Sequence, residues 1–402
     1  MISDTITGTD EFNALHARIL KRNRSMFADD LADNAHRLRD AIGGARVLVI
    51  GAAGSTGSAF VRQLIPYQPA ALDLIDINEN SLVELVRDLR SSGTELRAEF
   101  RTASIDFGSE EFRHFADASG PYDTVANFSA LKHVRAERDP YSLMRMIDVN
   151  VRALHDCLNH IGPETSVFSV STDKSVRSEN LMGATKALME NVLFCRDAPR
   201  TSTARFANVA FSAGSLLEGF GNRLAKGQPI SAPSDVRRYM MSQSEAGQLC
   251  LLAAFLAGHR DIYYPRLTPE TDLVSFADIA ETFLEEHGYK SIRCASEEEA
   301  KSRIGTEPGA WPCYFSASDT TGEKSVEEFT RDAETPDAGT YREISILHAP
   351  PASRDALETF LAEIAEIRHG QHWEKAEITA ALHRAVPDLR HEELGRSLDA
   401  KM

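Results

Sequence analysis

Four consecutive residues, Ser171-Thr-Asp-Lys174, carry two hydroxyls, a carboxylate and an amine. A second amine, Lys186, follows twelve residues later (186 − 174) in Met182-Gly-Ala-Thr-Lys186. Held together, such groups can grip a hydroxylated substrate and move protons on and off it. Met182 is of another kind, because a thioether neither gives nor takes a proton at neutral pH. A second constellation is Gly51-Ala-Ala-Gly54-Ser55-Thr56-Gly57. Its glycines permit a tight turn and close backbone approach to a pyrophosphate. A helix opening at Ser55 would aim its free N–H groups at that anion. Asp76 stands 25 residues after Gly51 (76 − 51), where a carboxylate can accept from ribose hydroxyls. No Lys or Arg occurs from Asp76 to Val86, so a 2′-phosphate would lack a partner. The pattern favours NAD over NADP.

These groups need a scaffold. Arg46–Ile50 reads as a buried strand directly before the glycines. Further strands are expected at Ala71–Asp76, near Leu96–Thr102, at Asp123–Asn127, at Ser166–Val170 and near Ser202–Val209, with helical patterns between them. Alternation of this kind predicts an α/β fold, a Rossmann-like doubly wound parallel sheet. Residues 1–44 read as an N-terminal helical extension and 45–210 as the dinucleotide-binding domain with the reactive residues. Residues 211–350 read as a smaller, Gly- and Pro-punctuated lobe partly interleaved with it, and 351–402 as C-terminal helices containing Trp373.

Composition narrows the function. The 402 residues include 44 Lys and Arg against 60 Asp and Glu, a formal charge of −16. That balance argues against nucleic acid and against anionic membrane surfaces, while leaving room for a locally held phosphate. Five cysteines, none spaced as C-x-x-C, read as reduced thiols of a cytoplasmic protein. The longest apolar run, Leu249–Ala257, is too short to span a membrane, and no signal peptide is evident. His369 and His372 have no further ligands nearby in sequence, so no metal is expected.

Leu131-Lys-His-Val134, Ser171-Thr-Asp-Lys174, Met182-Gly-Ala-Thr-Lys186, Arg205-Phe-Ala-Asn-Val209, Arg238-Tyr-Met240 and Gly322-Glu-Lys324 occur in that order. Together they resemble the extended short-chain dehydrogenase/reductase superfamily, and within it the UDP-N-acetylglucosamine 4,6-dehydratases of polysaccharide biosynthesis. The superfamily usually has Tyr where this chain has Met182, which resembles dehydratases that retain configuration at C5.

The resemblance implies a tightly bound NAD and three steps. The sugar is oxidised at C4, water leaves across C5 and C6, and hydride returns to C6. Thr172 would hold the 4-hydroxyl, and Lys186 the nicotinamide ribose. Asp173 would act as acid and Lys174 as base, with Met182 beside them. Ser171 would lie at the cofactor. Lys132 and His133 would line the sugar pocket. Arg205, Asn208, Arg238 and Glu323 would contact the nucleotide and diphosphate. Asn150 fits either a superfamily role in holding the active-site water and backbone or an ordinary polar helix position.

The chain departs from the family at Thr320-Thr321, at Asn127-Phe-Ser-Ala130 and at Ala103-Ser104. The helical stretches Tyr141–Ile161 and Leu181–Phe194 match helices that pair subunits in the superfamily, so a homo-oligomer is expected. Two other readings stand beside the dehydratase: an NAD-dependent epimerase or reductase on a related nucleotide sugar, and a non-catalytic nucleotide-sugar binding protein.

Overall fold

Six parallel strands build the first half of the chain: β1 (Arg46–Ile50), β2 (Ala71–Asp76), β3 (Glu99–Ser104), β4 (Thr124–Asn127), β5 (Ser166–Val170) and β6 (Thr201–Ala204). The computed structural model describes residues 14–93, 98–318, 324, 326–331 and 334–393. Later strands are β7 (Asn208–Val209), β8 (Ile230–Pro233), β9 (Arg237–Met241), β10 (Asp261–Pro265), β11 (Leu273–Ser275), β12 (Lys290–Cys294), β13 (Ala310–Ser316) and β14 (Ile344–His348). The main sheet has the order β14-β10-β6-β5-β4-β1-β2-β3, with only β14 antiparallel to its neighbour. The chain winds outward from β1 to β3, then restarts at β4 on the other side of β1. The carboxyl ends of β1 and β4 therefore flank a topological switch point, the place where such sheets bind ligands.

Helices α1 (Ala14–Leu20) and α2 (Ala28–Ile42) precede the sheet. Between its strands run α3 (Ser55–Leu64), α4 (Glu79–Ser91), α5 (Glu110–Ser119), α6 (Pro140–Ile147), α7 (Ala153–His160) and α8 (Leu181–Phe194). The smaller lobe carries α9 (Leu216–Ala225), α10 (Gln243–Leu256), α11 (Pro269–Asp272), α12 (Phe276–Glu286) and α13 (Glu297–Ser302); α14 (Arg354–His369) and α15 (Lys375–Ala385) follow β14. Of these, α10 packs back on α3 and belongs to the large core. A second apolar cluster joins Phe220 of α9, Ile230 of β8, Met240 of β9 and Phe283 of α12 to Ile19 and Leu20 of α1. The N-terminal stretch thus serves both cores, since Phe27, Leu38 and Ile42 lie in the large one. Arg22 fixes it there through two hydrogen bonds to Glu245 at 2.6 and 2.7 Å.

Two sequence expectations are revised, and a third stretch gains neighbours within the chain. The strand expected over Ser202–Val209 divides into β6, in the main sheet, and β7, which pairs with β9. The helix expected over Tyr141–Ile161 contains a wider π turn at Asp148–Arg152 between α6 and α7. All of α8 except Asn191 is buried, and α14 and α15 of the same chain pack on it, with α15 also against α6. Tyr141 meets Trp373, His155 meets Glu358 at 3.2 Å, and Asp148 pairs with Arg368. The chain's own C-terminal helices thus pack on part of both stretches that the resemblance assigns to a second subunit, while Tyr141 stays 69% exposed.

Candidate active site

The glycine turn is shaped for close approach. Gly51 has φ +71°, and a Cβ there would stand 2.6 Å from the Ser129 nitrogen at the end of β4. A Cβ on Gly57 would stand 2.1 Å from the Gly51 carbonyl oxygen, so this glycine lets α3 sit against the turn. Gly54 precedes α3, and no side chain caps that helix end. The Ser55 hydroxyl accepts from Ala213 N–H at 2.8 Å, and Thr56 is the second residue of α3. Asp76 accepts from Ala53 N–H and Asn78 N–H, both at 2.9 Å. One carboxylate oxygen thereby braces the glycine turn, and each oxygen retains a second lone pair for a hydroxyl.

At the end of β5, Thr172 Oγ1 donates to Asp173 Oδ1 at 2.8 Å. The Lys174 ammonium donates to Asp173 Oδ1 and Asn208 Oδ1, each at 3.2 Å, and lies 3.6 Å from Glu327. Arg238 approaches Glu327 at 3.9 Å and Lys324 does so at 4.0 Å. Burial opposes charge on Lys174, but Asp173 and Glu327 outweigh it and hold the ammonium above its ordinary pKa. From sequence, Lys174 is expected to be the base. As these side chains stand, it is a charged donor, and the acceptor of the pair is Asp173.

Lys186 donates to the Val170 carbonyl at 3.0 Å. Burial pulls its pKa down to about 8, with Glu190 partly opposing. Met182 lies buried one turn earlier. Gly183 between them packs against the preceding loop, since a Cβ would fall 2.1 Å from the Lys174 carbonyl oxygen. The two reactive segments are therefore in direct backbone contact. Asn150 bridges the segment after β4 to α8: it accepts from Leu131 N–H and donates to Leu131 O and Thr185 Oγ1, all at 2.9 Å.

Two assignments are corrected. Arg205, expected at the diphosphate, is 1% exposed and closes on Glu190 and Glu334. Ser171, expected at the cofactor, gives its hydroxyl to Glu190 at 2.6 Å. Glu190 thus gathers groups read as ligand contacts into a buried structural network. Its place one turn after Lys186 on the same helix was the available signal. Glu327, which faces Lys174 and Arg238, had no signal in the sequence. Glu323, Thr320 and Thr321 lie outside the described residues.

Lys132 and His133 line a cleft of about 840 Å³ together with Arg135, Arg138, Arg223 and Glu218. Four cations against one carboxylate make this a positive cleft in an acidic chain. Gly214 (φ +73°) lets the α9 entry approach His133, where a Cβ would stand 2.6 Å from the imidazole. Burial lowers the pKa of both Lys132 and His133; Glu218 opposes this in both, while Lys132 and Arg135 reinforce it in His133. Arg135, Arg138 and Arg223 were not singled out by sequence. No group of His, Cys, Asp and Glu among the described residues could hold a metal ion. No described helix is long and apolar enough to cross a membrane.

Residues 47–346 match the family model described as polysaccharide biosynthesis protein. The chain belongs to that family. It is 30% identical over 276 residues to an uncharacterised membrane protein of Methanocaldococcus jannaschii, covering 65% of this chain and 77% of the relative. It is 26% identical over 383 residues to the probable polysaccharide biosynthesis protein EpsC of Bacillus subtilis, covering 92% of this chain and 59% of EpsC. Among solved structures, Pen from Bacillus thuringiensis shares the fold at TM-score 0.61 and 19% identity, over 77% of this chain and 90% of Pen. The family thus accounts for the Rossmann-type sheet and places the chain among proteins of polysaccharide synthesis.

Proposed function

We propose that the protein is an NAD-dependent 4,6-dehydratase of a UDP-N-acetylhexosamine, UDP-N-acetylglucosamine being the first substrate to test. The observation that carries this reading is the Asp173–Lys174 pair, in backbone contact with the helix that bears Lys186 and Met182. It is a charged donor beside a carboxylate acceptor, with no phenol where a simple oxidoreductase would want one.

The glycine turn, the open end of α3 and Asp76 fit a dinucleotide's pyrophosphate and ribose. NAD, when bound, supplies a hydride acceptor and donor. Lys186 would steady the ribose from the end of β5, and its lowered pKa suits it to pass a proton near neutrality. Thr172 would hold the 4-hydroxyl. Once C4 is a ketone the C5 proton is acidic, and Asp173 would take it while Lys174 protonates the departing 6-hydroxyl. Asn208 and Glu327 hold Lys174 at that station. The positive cleft supports a diphosphate ligand, with Arg223, Arg135 and Arg138 as cations where Arg205 was expected. A homo-oligomer in the cytoplasm is part of the same proposal, with any subunit contact made elsewhere than on α8.

The test is incubation with UDP-N-acetylglucosamine without added reductant, followed by mass spectrometry. Loss of one water from the intact nucleotide sugar supports the dehydratase. A product of unchanged mass with inverted stereochemistry would replace it by an epimerase. Binding without product from any nucleotide sugar would leave a binding protein.

A further inference from the structure

Glu137 stands between the cleft and the catalytic helix, and the scheme above does not use it. It belongs to the short turn Val134–Arg138, whose Arg135 and Arg138 line the cleft. Glu137 itself is 4% exposed, and its Oε2 accepts from Met182 N–H at 3.0 Å. Asn180 accepts from Gly183 N–H at 2.7 Å, so the two residues share the first-turn donors of α8. A carboxylate there also meets the positive end of a 14-residue helix. Its other oxygen, Oε1, is buried with no hydrogen-bond partner among the described residues. Such an orphan is unfavourable. Burial pushes this carboxyl up to about 7, against the pull of the Met182 and Leu181 N–H groups and of Lys375. Lys375 of α15 and Glu393, an ion pair, face it from the C-terminal side, and His391 lies 3.7 Å from Glu393.

The segment 131–138 is therefore tied to α8 at two places. Leu131 is held through Asn150 to Thr185, the neighbour of Lys186. Glu137 is held to Met182, and Thr185 Oγ1 in turn donates to the Met182 carbonyl at 2.7 Å. We propose that Glu137 is a positioning residue that transmits occupancy of the cleft to the first turn of α8, so that a nucleoside diphosphate gripped by the Val134–Arg138 turn sets the placement of Lys186. This rests on the nucleotide-sugar reading of the cleft.

The test is amide hydrogen exchange on the whole chain with its dinucleotide, with and without UDP. In the wild type, UDP is expected to slow exchange in residues 214–223 and also in residues 181–186. In Glu137→Leu and Glu137→Ala, which cannot accept from Met182 N–H, the first effect stays, and the second shrinks at least about fivefold. The same variants lower kcat on the nucleotide sugar with KM held when the rate is taken per folded, dinucleotide-loaded enzyme, a normalisation that removes any general loss of stability. Undiminished slowing of residues 181–186 in a folded variant overturns the proposal; Glu137→Leu, of similar size but without an acceptor, carries the test where Glu137→Ala does not fold. Slowing at 214–223 alone in the wild type rejects the coupling but keeps the cleft's ligand. No slowing at 214–223 rejects the nucleotide-sugar reading, and the coupling with it.

Discussion

Arg205 closes on both carboxylate oxygens of Glu190, its Nε and one terminal nitrogen lying at 2.9 and 2.7 Å from them. The pair is buried, and Ser171 and Ser175 donate to the same carboxylate. Glu190 is held below its ordinary pKa because Arg205 and these hydrogen bonds outweigh burial. Removing one partner strands the other's charge in the core. Arg205→Ala is expected to lose roughly 3–5 kcal/mol of stability. Urea denaturation measures this, and UDP affinity of the fraction still folded should be near wild type. A selective loss of UDP binding with stability intact would return Arg205 to the ligand.

Asp173 and Lys174 make the sharpest functional prediction. Asp173→Asn and Lys174→Ala should each lower dehydration about 10²–10⁴-fold. Cofactor content, read by absorbance after denaturation, should be unchanged, because the glycine turn lies elsewhere. Full turnover in both variants would remove the pair from the mechanism.

Lys186 should act against stability near neutral pH. Its folded pKa of about 8 lies below the ordinary lysine value of 10.5. Between these values the unfolded chain holds the proton and the folded chain does not, so the lysine's contribution makes stability rise with pH across that window. Below about pH 8 its penalty is present in full. Lys186→Met should therefore unfold at a higher temperature than wild type at pH 7, while losing turnover. That advantage should shrink as pH approaches 10. A thermal series against pH measures it, and an advantage that does not vary with pH would contradict the assignment.

Gly57→Ala probes the cofactor turn. The added carbon would press on the Gly51 carbonyl, so α3 must shift away from β1. The expected result is loss of bound NAD together with roughly 1–3 kcal/mol of destabilisation. Gly93→Ala is the control, since a Cβ at Gly93 meets nothing within 4 Å. Only backbone strain acts there, and cofactor content should be retained.

Punctuation made part of this architecture legible. The start of α3 at Ser55 and the whole of β5 were read correctly because glycines and β-branched runs mark them. The break between β6 and β7 was not readable, because Arg205 leaves the strand to meet a glutamate fifteen residues earlier in the chain. The strands β10 and β14 also escaped notice; each is short, and their partners lie far off in sequence. The candidate set Thr172, Asp173, Lys174 and Lys186 is legible in the sequence. Its surroundings are legible only in part: Asn208 is marked out, but for the nucleotide rather than for Lys174, and Glu327 reaches Lys174 only through tertiary structure.

The C-terminal helices that cover α8 also set an order of assembly. During synthesis, α8 is complete at Phe194, but its cover begins only at Arg354, 160 residues later (354 − 194). At roughly 5–20 residues per second, that interval is about 8–30 seconds. For that time the part of α8 that packs on α14 and α15 lacks those neighbours. A chain stalled or clipped before Arg354 would keep the whole main sheet and still leave this part of α8 uncovered. Such fragments should be the ones that chaperones retain and proteases remove.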